Sequence, residues 1–229
     1  MQYRLIYLAI VFLGLFTSSC KKETPVEKPY EAEFIEADPN MTFYFRGIIN
    51  GVQKNWTVTS YKDDQSLPYR FNSASGVEAL GTDCKKTFCK YLMEDVEIFQ
   101  NNGAGPAKNL IAAVFNISSR TGDRKEIIKQ FYPGQKVFGK PRMTISDPVK
   151  DGVYIYYIDE TGKEWSSFNG TGLQTGSSFK SENFFIQPFS EISCLNIWKA
   201  TFSCTLYDKN GNSIQVVDGE FFTPVLVKK

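Results

Sequence analysis

The stretch Phe43-Tyr44-Phe45-Arg46-Gly47-Ile48-Ile49-Asn50-Gly51 decides the fold class of this chain. Its aromatic and β-branched residues favour an extended strand in which successive side chains face opposite sides. Asn50 and Gly51 then supply the two residues with positive φ that a type I′ hairpin turn requires. The segment from Trp56 to Tyr61 has the same character and runs back, so a β-hairpin is predicted here.

Similar segments recur along the chain, separated by clusters of Gly, Asn, Asp and Pro. The clearest are Val153 to Ile158 and Ile197 to Tyr207, and the second alternates apolar with polar residues as a half-buried antiparallel strand does. Between them, Asp123 can cap a short helix near 124–131, where Ile127 and Phe131 lie at helical spacing. Further strands are predicted at residues 69–72, 77–80, 94–99, 110–118, 135–138, 142–145, 163–168, 184–188, 213–218 and 220–227.

Many short strands with one short helix predict an all-β fold. We expect an antiparallel β-sandwich, immunoglobulin-like or jelly-roll-like, and a lipocalin-like barrel is the alternative. Residues 40–229 are expected to form this single domain, because a chain of 229 residues is long enough for one large β-domain.

The N-terminus has the order of an export signal. A basic start is followed by an apolar segment from Leu5 to Phe16 and by Thr17-Ser18-Ser19-Cys20. The apolar segment is shorter than the roughly 20 residues that span a bilayer. Residues 1–19 are therefore predicted to be a lipoprotein signal peptide, and Cys20 is predicted to carry the lipid. An ordinary secretory signal is the alternative.

Residues 20–39 contain many Lys, Glu and Pro and few large apolar residues. Such a segment buries too little surface to offset its ordering entropy, so it is predicted to be a flexible tether. Lipid anchor and tether together predict a cell-envelope protein held at the outer membrane, facing either the periplasm or the cell surface.

Four cysteines remain when Cys20 is set aside, namely Cys84, Cys89, Cys194 and Cys204. An even number in an exported chain favours disulfides, and all three pairings are open. The pairing of Cys84 with Cys89 and of Cys194 with Cys204 would close two short loops. A zinc site is the competing interpretation, although the chain has no histidine and no Cys-x-x-Cys pair.

The net charge and the residue composition argue against several classes of function. The formal net charge is +1 and opposite charges are interspersed, which argues against a nucleic-acid partner. The absence of histidine excludes Ser-His-Asp and Cys-His catalysis, and no cofactor is predicted. A hydrolase that uses the carboxylates of Asp159, Glu160 and Glu164 remains the enzymatic alternative. The segment 208–212 has oxygen ligands for calcium, but a hairpin turn also accounts for it.

Three segments together carry a family resemblance: residues 43–51 with Trp56, residues 154–167, and residues 200–221 with their Asn210-Gly211-Asn212 turn. Their order and spacing resemble the uncharacterised β-sandwich lipoproteins of Bacteroidota, described as domains of unknown function. The resemblance implies the fold and the envelope location. It implies no active residue and no ligand.

Aromatic side chains that are exposed on the sheet are the candidates for binding a ligand. Trp56, Trp165 and Trp198 fall in strand patterns that favour an inward, core position. Tyr154, Tyr156 and Tyr157 are better placed to be exposed, and with Trp165 they are the candidate ligand-binding residues. We therefore expect a non-enzymatic binding or accessory module for a glycan or an envelope protein, or else a structural accessory without a ligand.

Overall fold

The computed structural model describes residues 30, 32–36, 38, 41–58, 69–79, 90–100, 108–119, 123–141, 150–190 and 193–225. The contacts group residues Ala32–Lys229 into one unit. The predicted signal peptide, Cys20, Cys84, Cys89 and the predicted strand at 142–145 lie outside the described residues. Within them, no helix is long and apolar enough to cross a bilayer.

The described elements confirm an all-β fold. The helical part consists of α1 (Arg124–Ile128), continued by a 3₁₀ turn at Lys129–Phe131. The strands are β1 (Glu33–Phe34), β2 (Phe43–Ile49), β3 (Val52–Val58), β4 (Tyr69–Ala79), β5 (Lys90–Gln100), β6 (Leu110–Ser119), β7 (Gly134–Gln135), β8 (Gly152–Ile158), β9 (Glu164–Ser166), β10 (Ser178–Ser190), β11 (Ser193–Tyr207) and β12 (Ser213–Val225).

The strands form one curled antiparallel sheet in the order β3-β2-β12-β11-β9-β8-β6-β5-β4. Strand β10 pairs with β11 on the same edge that β9 contacts. The short strands β7, antiparallel, and β1, parallel, pair with the other edge of β10. A single residue pair, Tyr207 with Ser166, joins β11 to β9. The two halves of the sheet can therefore fold over one core, giving a half-barrel consistent with a sandwich or a barrel-like fold.

The hairpin that decides the fold class forms as predicted. Strands β2 and β3 pair from Phe43 opposite Val58 to Ile49 opposite Val52. Asn50 and Gly51 have φ angles of 49° and 77°, so both turn residues occupy the left-handed region that a type I′ turn requires.

Aromatic side chains form much of the core between the two halves. Trp198 of β11 is fully buried, and its ring lies 5.5 Å from that of Phe115 on β6, edge to face. Phe221 of β12 continues the cluster, with ring centroids 6.1 Å from Trp198 and 5.3 Å from Phe45 on β2. Side chains from both halves thus interlock, as they do between packed sheets.

Helix α1 and its 3₁₀ turn pack against this core. The Asp123 carboxylate accepts a hydrogen bond of 2.9 Å from the Lys125 amide, which confirms the predicted cap. Ile127 and Phe131 are buried, and the Phe131 ring lies 5.2 Å from Trp198. The helical spacing in the sequence therefore identified the buried side correctly.

Strand β12 continues where the sequence suggested two strands, residues 213–218 and 220–227. A β-bulge with Asp218 at a φ of 51° absorbs the irregularity instead of a turn. Gly219 is required at this point because a Cβ there would lie 2.7 Å from Cζ of Phe202. The predicted strands 69–72 and 77–80 likewise fall in one strand, β4, as far as residue 79.

Glu33 and Phe34, inside the predicted tether of residues 20–39, pair with Phe185 and Ile186 in the sheet. The tether itself stays a prediction. A local bridge between Cys194 and Cys204 cannot form in this structure. Both residues lie in the same extended strand, about 30 Å apart, whereas a disulfide needs Cα atoms within about 7 Å.

Cys204 is a free, buried thiol on the core side of β11, and its burial raises the pKa of the thiol. Its expected part in a disulfide is therefore wrong in this structure. The pairing of Cys84 and Cys89 stays a prediction.

Candidate functional site

Strand β8 divides the predicted tyrosines between the two sides of the sheet. Tyr154 and Tyr156 are half-buried on the outer side, whereas Tyr157 is only 3% exposed among the core residues. The expected exposure of Tyr157 is therefore wrong, because it shares the inward row of β8 with Val153 and Ile155. Trp165 is also buried, as are Trp56 and Trp198, which confirms the inward position predicted for the tryptophans.

Tyr154 and Tyr156 belong to an apolar cluster on the outer side of β5, β6 and β8. Three buried residues of β6 form its floor, and four half-buried residues surround them. We call this set the tyrosine face; it comprises Phe99, Leu110, Ala112, Val114, Tyr154, Tyr156 and Ile158.

Strand pairing arranges the tyrosine face in rows. Ala112 lies opposite Tyr156 on one side and Glu97 on the other, and Val114 lies between Tyr154 and Asp95 in the same way. Successive residues on one side of a strand are about 7 Å apart, so the two tyrosines are neighbours along β8. Carboxylates therefore border an aromatic and aliphatic surface.

Hydrogen bonds and burial fix the surroundings of Tyr156. Burial, a hydrogen bond to Glu164 and the charge of Glu97 together raise the pKa of Tyr156 to about 12. The hydrogen bond from Lys209, followed by that from Tyr156, lowers the pKa of Glu164, and the Lys209 ammonium lies 3.1 Å from its Oε2. The Tyr154 ring packs edge to face on Phe168 at 5.0 Å.

Trp165 pairs with Tyr157 on the core side of the sheet, opposite the tyrosine face, and is buried. Its Nε1 donates to Asp159 Oδ2 at 3.1 Å. The Lys163 ammonium lies 4.0 Å from the Trp165 ring centroid and 2.7 Å from Asp208 Oδ2. The structure therefore places Trp165 in a closed internal network and separates it from Tyr154 and Tyr156.

An open depression of about 300 Å³ lies between the β8–β9 and β11–β12 turns. It is lined by Gly162, Lys163, Glu164, Asp208, Lys209 and Asn210. The Asp208 carboxylate accepts hydrogen bonds from the Asn212 amide and side chain and from the Asn210 amide. The interactions with Asn212 and Lys163 hold the pKa of Asp208 well below its ordinary value.

The turn at 208–212 thus uses the Asp208 oxygens for its own structure, as Asx turns do. Among the described residues, no group of three or more His, Cys, Asp or Glu side chains is placed to hold a metal ion.

Two carboxylates of the enzymatic alternative, Asp159 and Glu164, have pKa shifts opposite to the one a general acid needs. Burial alone would raise the pKa of Asp159, but hydrogen bonds from Thr161, from Trp165 and from backbone amides outweigh it and lower the pKa. The pKa of Glu164 is lowered as well. Both side chains serve the turn network and are poorly suited to donate a proton near neutral pH.

Sequence reasoning missed the floor of the tyrosine face and its acidic border. One signal was present: Leu110-Ile111-Ala112-Ala113-Val114-Phe115 is a continuous apolar run, typical of a strand that is buried on both sides. Strand β6 is indeed buried on both sides, with Ile111, Ala113 and Phe115 facing the core. A strand that is buried on both sides needs apolar side chains to cover its outer side, and the aromatic side chains of the tyrosine face do this.

Comparison with protein-family models, curated proteins and solved structures found no match to this chain. The fold and the geometry define an all-β protein whose curled sheet carries an aromatic outer surface bordered by carboxylates. The resemblance to Bacteroidota lipoproteins stays a prediction.

Proposed function

We propose that this chain is a lipid-anchored cell-envelope protein that binds a glycan, without catalysis, through the tyrosine face. The observation that carries the proposal is the pair of half-buried rings, Tyr154 and Tyr156, side by side on the apolar floor. Aromatic rings offer a large, rigid contact area together with a polar hydroxyl. A sugar has the matching character, since its ring carries apolar C–H groups and its rim carries hydroxyls.

The carboxylates at the border of the tyrosine face are the polar groups of the proposed site. Asp95 and Glu97 of β5 lie in the same two rows as Tyr154 and Tyr156 of β8, with Val114 and Ala112 of β6 between them. Carboxylates accept strong hydrogen bonds from hydroxyl groups. Binding sites commonly combine a mostly apolar surface with a few polar groups that fix orientation, and the tyrosine face has this composition.

The binding experiment is a glycan array probed with the fluorescently labelled chain and with two variants, Tyr154→Ala and Tyr156→Ala. We expect binding to a defined set of glycans that each variant weakens by about 5- to 150-fold, if a sugar gains from an aromatic ring the roughly 1–3 kcal/mol that a stacked nucleobase gains.

The matched control is Tyr44→Ala, a half-buried tyrosine on the outer side of β2. This variant is expected to retain binding. A blank array would refute the glycan proposal, and loss of binding in Tyr44→Ala alone would move the site to the other half of the sheet. A partner protein that binds in a Tyr156-dependent manner, with the array blank, would favour the accessory role.

The anchor rests on the sequence signals around Cys20 and has its own test. Cells expressing the native chain and the Cys20→Ala variant are grown with radioactive palmitate. Label in the native chain and none in the variant is expected. Equal absence of label in both would leave a secreted domain without lipid.

A further inference from the structure

We infer that strand β3 is the docking edge for a second copy of this chain, whose own β3 adds to it in an antiparallel register centred on Asn55. The product would be a dimer with two-fold symmetry, in which one continuous sheet crosses the interface. This inference goes beyond the proposed glycan binding, because it concerns an edge of the sheet and not the tyrosine face.

Strand β3 is a terminal strand of the sheet. In the described part of the chain it pairs only with β2, from Phe43 opposite Val58 to Ile49 opposite Val52, and this pairing contains no bulge. Strand β4, at the other end of the strand order, comes near β3 but shares no residue pair with it. Such an edge presents backbone N–H and C=O groups to an extended chain that lies beside it.

The hairpin turn determines which backbone groups of β3 are free. Across the two-residue turn, Ile49 and Val52 form a hydrogen-bonded pair, and such pairs alternate with non-hydrogen-bonded pairs along an antiparallel ladder. The N–H and C=O groups of Gln53, Asn55 and Thr57 therefore point away from β2. Among the described residues, these backbone groups have no hydrogen-bond partner.

The free groups are spaced so that a second β3 matches them. With Asn55 opposite Asn55 of the partner subunit, Gln53 of each copy lies opposite Thr57 of the other, and every free N–H faces a free C=O. The side chains of these residues lie on the outer side of β3, where Gln53 and Asn55 are exposed. Polar side chains at these positions can also hydrogen-bond across the two strands.

The remaining residues of β3 fit the same register. Lys54 carries the only charge of the strand, and it would lie opposite Trp56 of the partner subunit, so like charges do not meet. Val52 is 55% exposed and would lie opposite the partner subunit's Val58, which removes apolar surface from water.

Lys54 does not protect the edge in the way that edge lysines often do. Its side chain is only 18% exposed, and its ammonium lies 3.4 Å from Glu160 Oε2 in the β8–β9 turn. Strand β3 also lacks the proline and the bulge that other edge strands use against pairing. The edge is therefore open to a strand of matching register, and its own copy has that register.

Sedimentation equilibrium of the full chain, in a detergent that is density-matched to the solvent, tests for the dimer. A single strand pair buries little surface, so we expect a reversible dimer with a dissociation constant of about 10–100 µM. A chain that remains monomeric at about 1 mM, ten times the upper value, would overturn the inference.

Charges at the centre of the register test the interface itself. Asn55→Asp and Asn55→Lys each place like charges opposite one another, so each is expected to weaken the dimer about fivefold or more at low salt. An equimolar mixture of the two variants is expected to restore association, because opposite charges then meet. Gln53→Glu is the matched control: it adds a charge to the same edge but lies opposite Thr57 of the partner subunit, and it is expected to dimerise like the native chain.

Two further results would overturn the inference. Native-like association of Asn55→Asp and Asn55→Lys would place the contact elsewhere on the molecule. A mixture that associates no better than either variant alone would contradict the register centred on Asn55. Two chains that merely share a detergent micelle cannot imitate the expected pattern, since all variants carry the same N-terminal segment.

Discussion

Replacement of Ser181 by alanine is expected to destabilise the fold by about 2 kcal/mol, through one hydrogen bond. Ser181 is fully buried in β10, next to the bulge between Ser181 and Asn183. Its Oγ accepts a hydrogen bond of 3.2 Å from Trp198 Nε1 and donates one of 3.3 Å to the Gln130 carbonyl. It thereby ties the 3₁₀ turn to the centre of the core.

The magnitude follows from what alanine leaves behind. The Cβ remains, so little packing is lost, but the N–H of fully buried Trp198 loses its acceptor. An orphaned buried donor costs about 1–3 kcal/mol. Gln130 is only half-buried, so water can hydrate its carbonyl and add little to the cost.

Urea unfolding followed by circular dichroism measures this cost, and a double-mutant cycle with Trp198→Phe isolates its origin. Phenylalanine has no N–H, so Ser181→Ala in that background is expected to cost less than about 1 kcal/mol. Equal costs in both backgrounds would refute the hydrogen-bond explanation and assign the effect to packing.

Three further predictions concern single sites. Gly219→Ala is expected to lower stability to urea by about 1–3 kcal/mol, because the new Cβ would lie 2.7 Å from the Phe202 ring; an unchanged unfolding midpoint would contradict this. The buried Cys204 thiol is expected to resist alkylation in the folded protein and to react in urea, as followed by peptide mass spectrometry; rapid alkylation of the native protein would show that this core opens. The lowered pKa of Asp208 predicts a stability contribution that is complete above pH about 4 and is lost as the pH falls further. Asp208→Asn should therefore flatten the decline of the melting temperature below pH 4, and a decline as steep as in the native chain would count against the turn network.

The parts of the fold that the sequence predicted correctly are those that depend on residues close together in the chain. The Asn50-Gly51 turn, the Asp123 cap and the alternation in β11 each depend on a few neighbouring residues, and all three are present. Gly219 misled the sequence reading because glycine marks both turns and bulges. Only the ring of Phe202 across the strand pair decides for a bulge.

The candidate site depends on partners that are distant in sequence. A period of two cannot say which row of β8 faces the core, and Tyr157 is buried because its row meets Trp56 at 6.4 Å from across the core. Trp165 is closed off because Lys163 reaches Asp208 on another hairpin. The expected Cys194–Cys204 bridge failed for the same reason, since sequence separation did not reveal one unbroken strand.

The most direct test of the tyrosine face is an NMR titration of the ¹⁵N-labelled chain with the glycan that binds most strongly on the array, observed through backbone amides. We predict that the largest chemical-shift changes fall on residues 95–99, 110–114 and 154–158, which carry the face on three adjacent strands. Residues 199–205 of β11, on the other half of the sheet, should change little. Shifts that centre on β11 and spare Tyr154 and Tyr156, or no shifts at all, would contradict the central claim.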